Sequence, residues 1–324
     1  MSSPCRSCCN GNPVGRAAAT ACLALLLMGV GEPALPPAPD TSVPPAAHPA
    51  EPEPITPIPE PPAADPLKLA LGEWLFNDPR VSPDGTNSCA SCHDTHTNGA
   101  DARRLDPASD GALFNTPTVF NAALNFRLTW EGKFRTLSEQ AAGQLGGDAG
   151  VSRVVSALRA DPAIVRRFRQ AYGHGPDGAA LLDAIAIYEG SLLTPGSRFD
   201  RWLKGDATAL SSEELHGYQL FKSLGCISCH QGVNVGGNLF ERHGIFHPLA
   251  APKPEILRVP SLRNVATTPP YFQDGSAPTL RDAVRKMGNA QLDLTLSPGD
   301  VTAIVAFLKT LTGTYRGHAV TAAP

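Results

Sequence analysis

The sequence predicts a mainly α-helical protein that is built from two similar halves. A Cys-x-x-Cys-His motif occurs twice, as Cys89-Ala90-Ser91-Cys92-His93 and as Cys226-Ile227-Ser228-Cys229-His230, and a helix signal precedes each copy. Apolar residues recur at helical spacing between and after the motifs, and no convincing strand alternation is present. With 324 residues, the chain has room for about two domains of ordinary size.

Cys-x-x-Cys-His is the signature of covalent c-type haem attachment. The four thiols would form thioethers with two haems, and the histidine that follows each pair would be the proximal iron ligand. The residues are Cys89, Cys92 and His93 for the first haem, and Cys226, Cys229 and His230 for the second. A pair of zinc or redox Cys-x-x-Cys sites is the alternative. We therefore predict two cytochrome-c-like domains, each with one covalently bound c-type haem.

The N-terminus predicts export. Arg6 and Arg16 precede an apolar run over 17–30, which is long enough for a signal peptide but short for a membrane-spanning helix. We assign 1–31 to this signal and 32–62, where proline dominates, to a disordered linker. Covalent haem attachment takes place outside the bacterial inner membrane, so a periplasmic protein is expected. An uncleaved signal would tether it to that membrane.

Helix signals then define an N-terminal domain over 63–205 and a C-terminal domain over 206–324. Asp65-Pro66 predicts the start of the first helix, and Ser211 opens the helix before the second motif with a capping box. Further helices are predicted to start at Ser152, Asp161, Thr279 and Ser297, and another carries Leu181, Ile185 and Tyr188. The formal charge of −3 argues against a nucleic-acid partner.

Beyond the motifs, the sequence resembles the bacterial di-haem cytochrome c peroxidase family, which also includes the MauG-type enzymes. The resemblance runs in family order from about Pro66 to Gly313. Its matching segments are 115–121, 130–133, 137–140, 259–266, 270–272 and 287–292. The resemblance implies two haems with different tasks, one that receives electrons and one that reacts with peroxide.

At the second haem, the resemblance implies that Met287 is the distal ligand opposite His230. The other two of the three methionines lie in the predicted signal, so Met287 is the sole thioether available. His/Met ligation raises the reduction potential, which suits an electron-accepting haem. A core side chain is the alternative for Met287. Trp130 matches the tryptophan that the family places between the haems, where an indole offers an electron path; a core role is compatible with this.

At the first haem, the family often has a distal histidine in the loop after the motif. Here that loop contains only His96, so close to His93 that we expect a five-coordinate or water-ligated haem at rest. The resemblance implies that Gln140 and a nearby glutamate move a proton between the peroxide oxygens. Asp148 stands where the glutamate is expected, and it is either a shorter substitute or a loop carboxylate.

The resemblance also implies a calcium site between the domains, at Asn115, Thr268 and Pro270. Their neutral oxygens suit calcium, although without carboxylates the site would be weak. Arg258 and Arg263 could pair with haem propionates, or they could be solvated.

The function that we predict is reduction of hydrogen peroxide to water with electrons from a small cytochrome c or cupredoxin. The family commonly forms homodimers. One alternative is a MauG-like oxidase acting on a protein or organic substrate, but that chemistry uses a tyrosine on the second haem, so Met287 argues against it. The other is a non-enzymatic electron carrier or sensor, which the missing glutamate and distal histidine favour.

Overall fold

The structure is a computed structural model that describes residues 52–101, 105–107, 113–251 and 253–323. Short strands form three antiparallel pairs: β1 (Leu105–Pro107) with β2 (Leu113–Asn115), β3 (Phe240–Arg242) with β4 (Ile256–Arg258), and β5 (Thr314–Tyr315) with β6 (His318–Ala319). The helices are α1 (Pro66–Phe76), α2 (Leu137–Gln144), α3 (Gly147–Arg159), α4 (Pro162–Tyr172), α5 (Gly178–Ser191), α6 (Arg198–Leu203), α7 (Ser212–Ser223), α8 (Leu280–Leu292) and α9 (Pro298–Lys309). The mainly α fold is therefore confirmed.

The predicted helix starts follow from side-chain caps that the structure contains. The Asp65 carboxylate accepts from the backbone N–H of Leu67 at 2.8 Å, and Ser211 and Ser297 form capping boxes with Glu214 and Asp300. Two helix bounds differ from the prediction. Helix α3 begins at Gly147 rather than at Ser152, and α8 continues past Met287. The short helices α2 and α6 were not predicted.

In the N-terminal half, α1 and α5 cross so closely that their backbones touch at Gly72. A Cβ atom at this position would collide with the backbone oxygen of Ala184 and would lie 2.9 Å from Cβ of Tyr188. Around the crossing, α2, α3 and α4 complete a core that includes Leu75, Leu158 and Phe168.

The C-terminal half repeats this arrangement with α7 and α9. A Cβ atom at Gly217 would collide with the backbone oxygen of Ala303 and lie 3.1 Å from Cβ of Phe307. In each half the two contacted residues are four apart, and each glycine lies on the helix that precedes a Cys-x-x-Cys-His motif. The two helix pairs are therefore equivalent, and position 189 on α5 corresponds to position 308 on α9.

The described part of the predicted linker, 52–62, is not a solvated spacer. Ile55 and Ile58 are each only 1% exposed, and Ile55 belongs to the core of the C-terminal half. The Glu53 carboxylate accepts from the Tyr218 hydroxyl at 2.5 Å and pairs with Lys222 at 3.1 Å. The proline-rich composition gave no indication that Ile55 and Ile58, three residues apart, are buried. We call 52–62 the N-terminal strap.

The chain end makes the reciprocal contact, on the N-terminal half. The Arg316 guanidinium donates to both oxygens of Glu73 on α1, at 2.7 and 2.8 Å. The Tyr315 ring lies 5.1 Å from that of Phe120, and Val320 is buried in the same cluster. We call 314–320 the C-terminal strap.

The predicted signal over 1–31 and the first part of the linker lie outside the described residues. Within the described ranges, no helix combines the length and the apolar character that crossing a bilayer requires. The predicted domain boundary at 205/206 falls in the connection between α6 and α7 and stays a prediction.

Candidate haem sites

The second Cys-x-x-Cys-His motif forms a tight turn after α7. Cys226–Ser228 is a 3₁₀ turn, and the backbone N–H of His230 donates to the carbonyl of Cys226 at 3.1 Å. Cys226, Cys229, His230 and Met287 line one large cavity. Its other walls are mainly apolar and include Leu262, Leu292, Leu296 and Leu308. The structure thus brings both thiols and both predicted iron ligands of the second haem together around a space with apolar walls.

The His230 imidazole is oriented and neutral, as an iron ligand must be. Its Nδ1 lies 3.2 Å from the carbonyl of Val235, so Nδ1 donates and Nε2 is left for a metal. Burial lowers the pKa of His230 to about 4. Gly236 makes this packing possible, because a Cβ atom there would collide with the carbonyl of Pro260 and lie 3.3 Å from Nδ1.

The first motif has the same local geometry. The backbone N–H of His93 donates to the carbonyl of Cys89 at 2.9 Å, and His93 Nδ1 lies 3.0 Å from the carbonyl of Gly99. The Nδ1 atoms of His93 and His230 therefore face carbonyls six and five residues further on. This match supports the same use for both motifs.

The cysteines of the motifs are half-buried. Burial raises the pKa of Cys89 to about 12 and that of Cys226 to about 11. The free thiolate that a redox dithiol uses is therefore disfavoured. Both thiols fit attachment to an apolar ring better than a redox role.

Trp130 is buried between the two halves and lines the same cavity as His230. Its Nε1 donates to the carbonyl of Asn115 at 2.8 Å, and its own carbonyl accepts from the backbone N–H of Arg258. The ring lies 6.3 Å from that of Phe114. The position agrees with a tryptophan between two haems and equally with a core side chain.

The structure brings the predicted calcium ligands together only in part. Asn115, Thr268 and Pro270 all line the cavity, and the Asn115 amide nitrogen donates to the carbonyl of Pro270 at 2.6 Å. That amide would have to turn over to present its oxygen to a cation. Among the described residues, no three histidine, cysteine or acidic side chains form a metal-binding group.

The two arginines that were predicted to pair with haem propionates differ in their contacts. Arg263 is 2% exposed and pairs with Asp200 at 2.8 Å, while it donates to the carbonyls of Val233 and Thr56. It binds the N-terminal strap to α6, so the prediction of a propionate partner is corrected: its guanidinium already has a carboxylate. Arg258 is also buried and lines the cavity, but its guanidinium donates, among the described residues, only to the carbonyls of Thr129 and Val259. Burial lowers the pKa of Arg258 to about 10.

The two predicted proton-moving residues differ in exposure. Gln140 is half-buried on α2, whereas Asp148 is exposed in the first turn of α3. Asp148 follows Gly146 and Gly147, which both have a positive φ. His96 is exposed, and its backbone N–H donates to Asp94.

Sequence reasoning missed Glu189, on α5 beside the first motif. This side chain is 8% exposed, its Oε2 has no hydrogen-bond partner within the described part of the chain, and burial raises its pKa to about 8. Its charge acts on Cys89, raising the pKa of that thiol further. Its equivalent in the other half, Leu308, lines the haem cavity. The sequence did indicate this residue, because Glu189 is a carboxylate on the buried face of the helix that carries Leu181, Ile185 and Tyr188.

Comparisons with known proteins agree with these sites. The family model of di-haem cytochrome c peroxidases matches residues 66–208, and the cytochrome c model matches 215–312. The chain is 38% identical to cytochrome c551 peroxidase of Nitrosomonas europaea, over 81% of this chain and 84% of that protein. It is 40% identical to cytochrome c peroxidase Ccp of Escherichia coli over 81% of this chain, but the match spans only 62% of that relative.

Among solved structures, a MauG-like protein associated with microbial copper homeostasis has the same fold, with a TM-score of 0.66. It is 27% identical, over 79% of this chain and 93% of that one. The two family models each include one Cys-x-x-Cys-His motif, which accounts for two c-type haems. With two such relatives and two matching motif geometries, the chain belongs to the bacterial di-haem cytochrome c peroxidase family, a family of haem enzymes.

Proposed function

We propose that this protein reduces hydrogen peroxide to water at the first haem, with electrons that enter at the second. The observation that carries the proposal is the difference between the two motifs. Their histidines are held alike, but only the second faces a cavity that also contains a methionine, Met287. An iron with two protein ligands suits electron transfer, whereas peroxide requires an open position.

The overall reaction consumes one hydrogen peroxide, two electrons and two protons and yields two waters. The bound haems supply the redox-active iron. The chain orients both proximal histidines through Nδ1, and mainly apolar residues line the second site. Trp130 lies on the wall between the halves, and we assign it to the electron path between the two sites.

Arg258 is the residue that we assign to a haem propionate. It is buried, it lines the cavity of the second site, and among the described residues it makes no ion pair. A buried cation of this kind needs an anionic partner, and a propionate carboxylate provides one.

Proton delivery at the first site is assigned to Gln140 and Asp148. Asp148 is exposed, so it can act only if the turn at Gly146 and Gly147 brings it inward. A weakly bound calcium ion at Asn115, Thr268 and Pro270 is also proposed from the family resemblance. The Asn115 amide would turn over to present its oxygen to the ion.

The proposed setting is the periplasm, with a small cytochrome c or cupredoxin as the electron donor and a homodimer as the assembly. The first of these follows from the export signal expected at 1–31, and the other two from the family. They are tested by fractionation, by donor oxidation assays and by measurement of the solution mass.

One observation favours a second function. Asp148 and His96, the acidic and basic side chains considered for the first haem, are both exposed. A non-enzymatic electron carrier or sensor would need neither. The MauG-like oxidase is less favoured, since Met287 occupies the wall where that chemistry uses a tyrosine.

Replacing Met287 tests the electron entry site. In the Met287→Ala variant, we expect the second haem to lose its sulfur-ligated spectrum and its high potential, and donor-dependent peroxide reduction to fall at least tenfold. Unchanged turnover with the sulfur-ligated spectrum lost would contradict the assignment of the second haem as the electron entry site.

A further inference from the structure

The two halves of the structure repeat each other beyond the crossed helix pairs. Three residues with a positive φ in the first half recur 143 positions later in the second. They are Asn121, Thr129 and Gly132, and then Asn264, Phe272 and Gly275. The antiparallel bridge between Tyr271 and Ala277 follows the bridge between Leu128 and Phe134 at the same spacing. The two segments are therefore equivalent position by position.

Hydrogen bonds between the halves support this register. The backbone N–H of Arg258 donates to the carbonyl of Trp130 at 2.8 Å, and that of Asn115 donates to the carbonyl of Gln273 at 2.6 Å. Arg258 follows Asn115 by the same 143 positions, and so does Gln273 follow Trp130. The two hydrogen bonds are thus one contact that is made twice, once in each direction between the halves.

The equivalence continues into α2 and α8. Thr136 and Thr279 lie at the same spacing and cap these helices, and each hydroxyl accepts from the backbone N–H three residues on at 3.1 Å. Helix α2 packs on α5, and α8 packs on α9, which the glycine crossings already relate. Position 144 at the end of α2 therefore corresponds to position 287 on α8. Gln144 stands where the second half has Met287.

The corresponding face of α8 borders the cavity of the second haem. Ala283 and Met287 both line this cavity, one helical turn apart. Their counterparts on α2 are Gln140 and Gln144, so both glutamines are expected on the face that is directed at the first haem. The family resemblance assigns Gln140 to this site, whereas it assigns no role to Gln144.

Helix α2 ends at Gln144, whereas α8 continues to Leu292. Gln291 and Leu292, in that additional part of α8, line the cavity of the second site. After Gln144 the chain instead leaves the helical path at Gly146, whose φ is 91°. Gln144 itself is exposed. A small molecule from solvent can therefore reach its side chain.

We propose that Gln144 lies over the first haem as Met287 lies over the second, and that its amide donates a hydrogen bond to hydrogen peroxide at this site. A thioether is a haem ligand, whereas a carboxamide is a hydrogen-bonding group with two N–H donors. Glutamine in place of methionine therefore leaves the iron position open and supplies a donor beside it. The inference rests on the proposed two-haem function and adds a peroxide-binding residue to it.

The first test counts the haems with a sulfur ligand in the absorption spectrum of the oxidised holoprotein, which needs no turnover. In Gln144→Met, the new thioether should reach the first iron, so the variant should have one sulfur-ligated haem more than the wild type. The reduction potential of the first haem should rise with it. Gln144→Leu is the matched control, because it is apolar without sulfur and should leave the number unchanged. No additional sulfur-ligated haem in Gln144→Met would overturn the proposal.

The second test measures the hydrogen bond. Fluoride binds oxidised haem and accepts hydrogen bonds, so it serves as the probe for a donor beside the open position. Gln144→Leu should bind fluoride at the first haem about fivefold more weakly than the wild type. Gln170→Leu is the control, since it makes the same exchange at an exposed glutamine on α4 and should leave the affinity unchanged. Equal affinity in Gln144→Leu and the wild type, or a wild-type first haem that binds no fluoride, would overturn the proposal.

The outcomes separate this inference from the proposed function. Both expected results in a protein that does not reduce peroxide would sustain Gln144 as the donor at the open site and contradict the peroxidase. Donor-dependent peroxide reduction with neither expected result would leave the peroxidase standing and overturn the role of Gln144.

Discussion

At the scale of single residues, the histidines of both motifs depend on the backbone that surrounds them. Each directs Nδ1 at a carbonyl five or six residues further on, so Nε2 is the atom available to iron. At the second site this arrangement requires Gly236, whose φ of 130° lies in the left-handed region and whose missing side chain makes room for Pro260 and His230.

We expect Gly236→Ala to displace His230 and to destabilise the fold by about 2–4 kcal/mol. Gly85→Ala is the control, because Gly85 also has a positive φ but nothing lies within 4 Å of the added Cβ; backbone strain alone should cost about 1 kcal/mol. Denaturant unfolding of both variants measures the difference. Equal losses would show that the added Cβ does not meet Pro260 and His230 as the structure predicts.

Glu189 gives a prediction about pH. The unfolded chain ionises this carboxyl near its ordinary pKa of 4.5, whereas the folded chain keeps the proton until about pH 8. Between these values the unfolded state binds fewer protons, so stability falls as pH rises, by up to about 1.4 kcal/mol per pH unit, and it levels off above pH 8.

Glu189→Gln removes this titration while keeping the shape of the side chain. Its stability should therefore depend less on pH than that of the wild type, and the difference between them should grow from pH 5 to pH 8. Thermal unfolding at several pH values measures both slopes, and parallel slopes would mean that Glu189 is ionised in the folded protein.

At the scale of elements, the fold rests on two glycine crossings. Gly217→Ala should force α7 and α9 apart and cost at least about 2 kcal/mol, since the added Cβ meets backbone atoms of Ala303. Gly190→Ala, on α5, meets nothing within 4 Å and should be neutral or stabilising by up to about 1 kcal/mol. Chemical denaturation compares them; a neutral Gly217→Ala would contradict the close crossing.

The sequence predicted the elements whose signals are local. Asp65, Ser211 and Ser297 cap helices within three residues of themselves, and the two Cys-x-x-Cys-His motifs specify their own turns. Contacts between distant residues were beyond this kind of inference. Nothing near Arg258 or Arg263 in the sequence tells which of them meets Asp200, and nothing near Ile55 shows the core that it enters.

At the scale of the whole molecule, each end of the described chain packs on the opposite half. The N-terminal strap contributes Ile55 to the core around Phe199 and Tyr218, and the C-terminal strap joins Arg316 to Glu73 on α1. The two halves around the haem cavity are thereby tied together by chain segments as well as by their interface.

Ile55→Ala tests the N-terminal strap. We expect a loss of about 2–4 kcal/mol, because the side chain is 1% exposed and its removal leaves a cavity in the core. Ile245→Ala is the matched control, since Ile245 is exposed and should change stability by less than about 0.5 kcal/mol. If both variants unfold like the wild type, the strap is a spacer after all.

The central claim concerns the whole molecule: electrons enter at the haem of His230 and Met287, and peroxide is reduced at that of His93. Stopped-flow mixing of the half-reduced protein with hydrogen peroxide tests it most directly. We predict a fast spectral change at the first haem, which reduced donor protein then returns to the resting spectrum. No spectral response at excess peroxide would contradict the account and would favour a di-haem electron carrier.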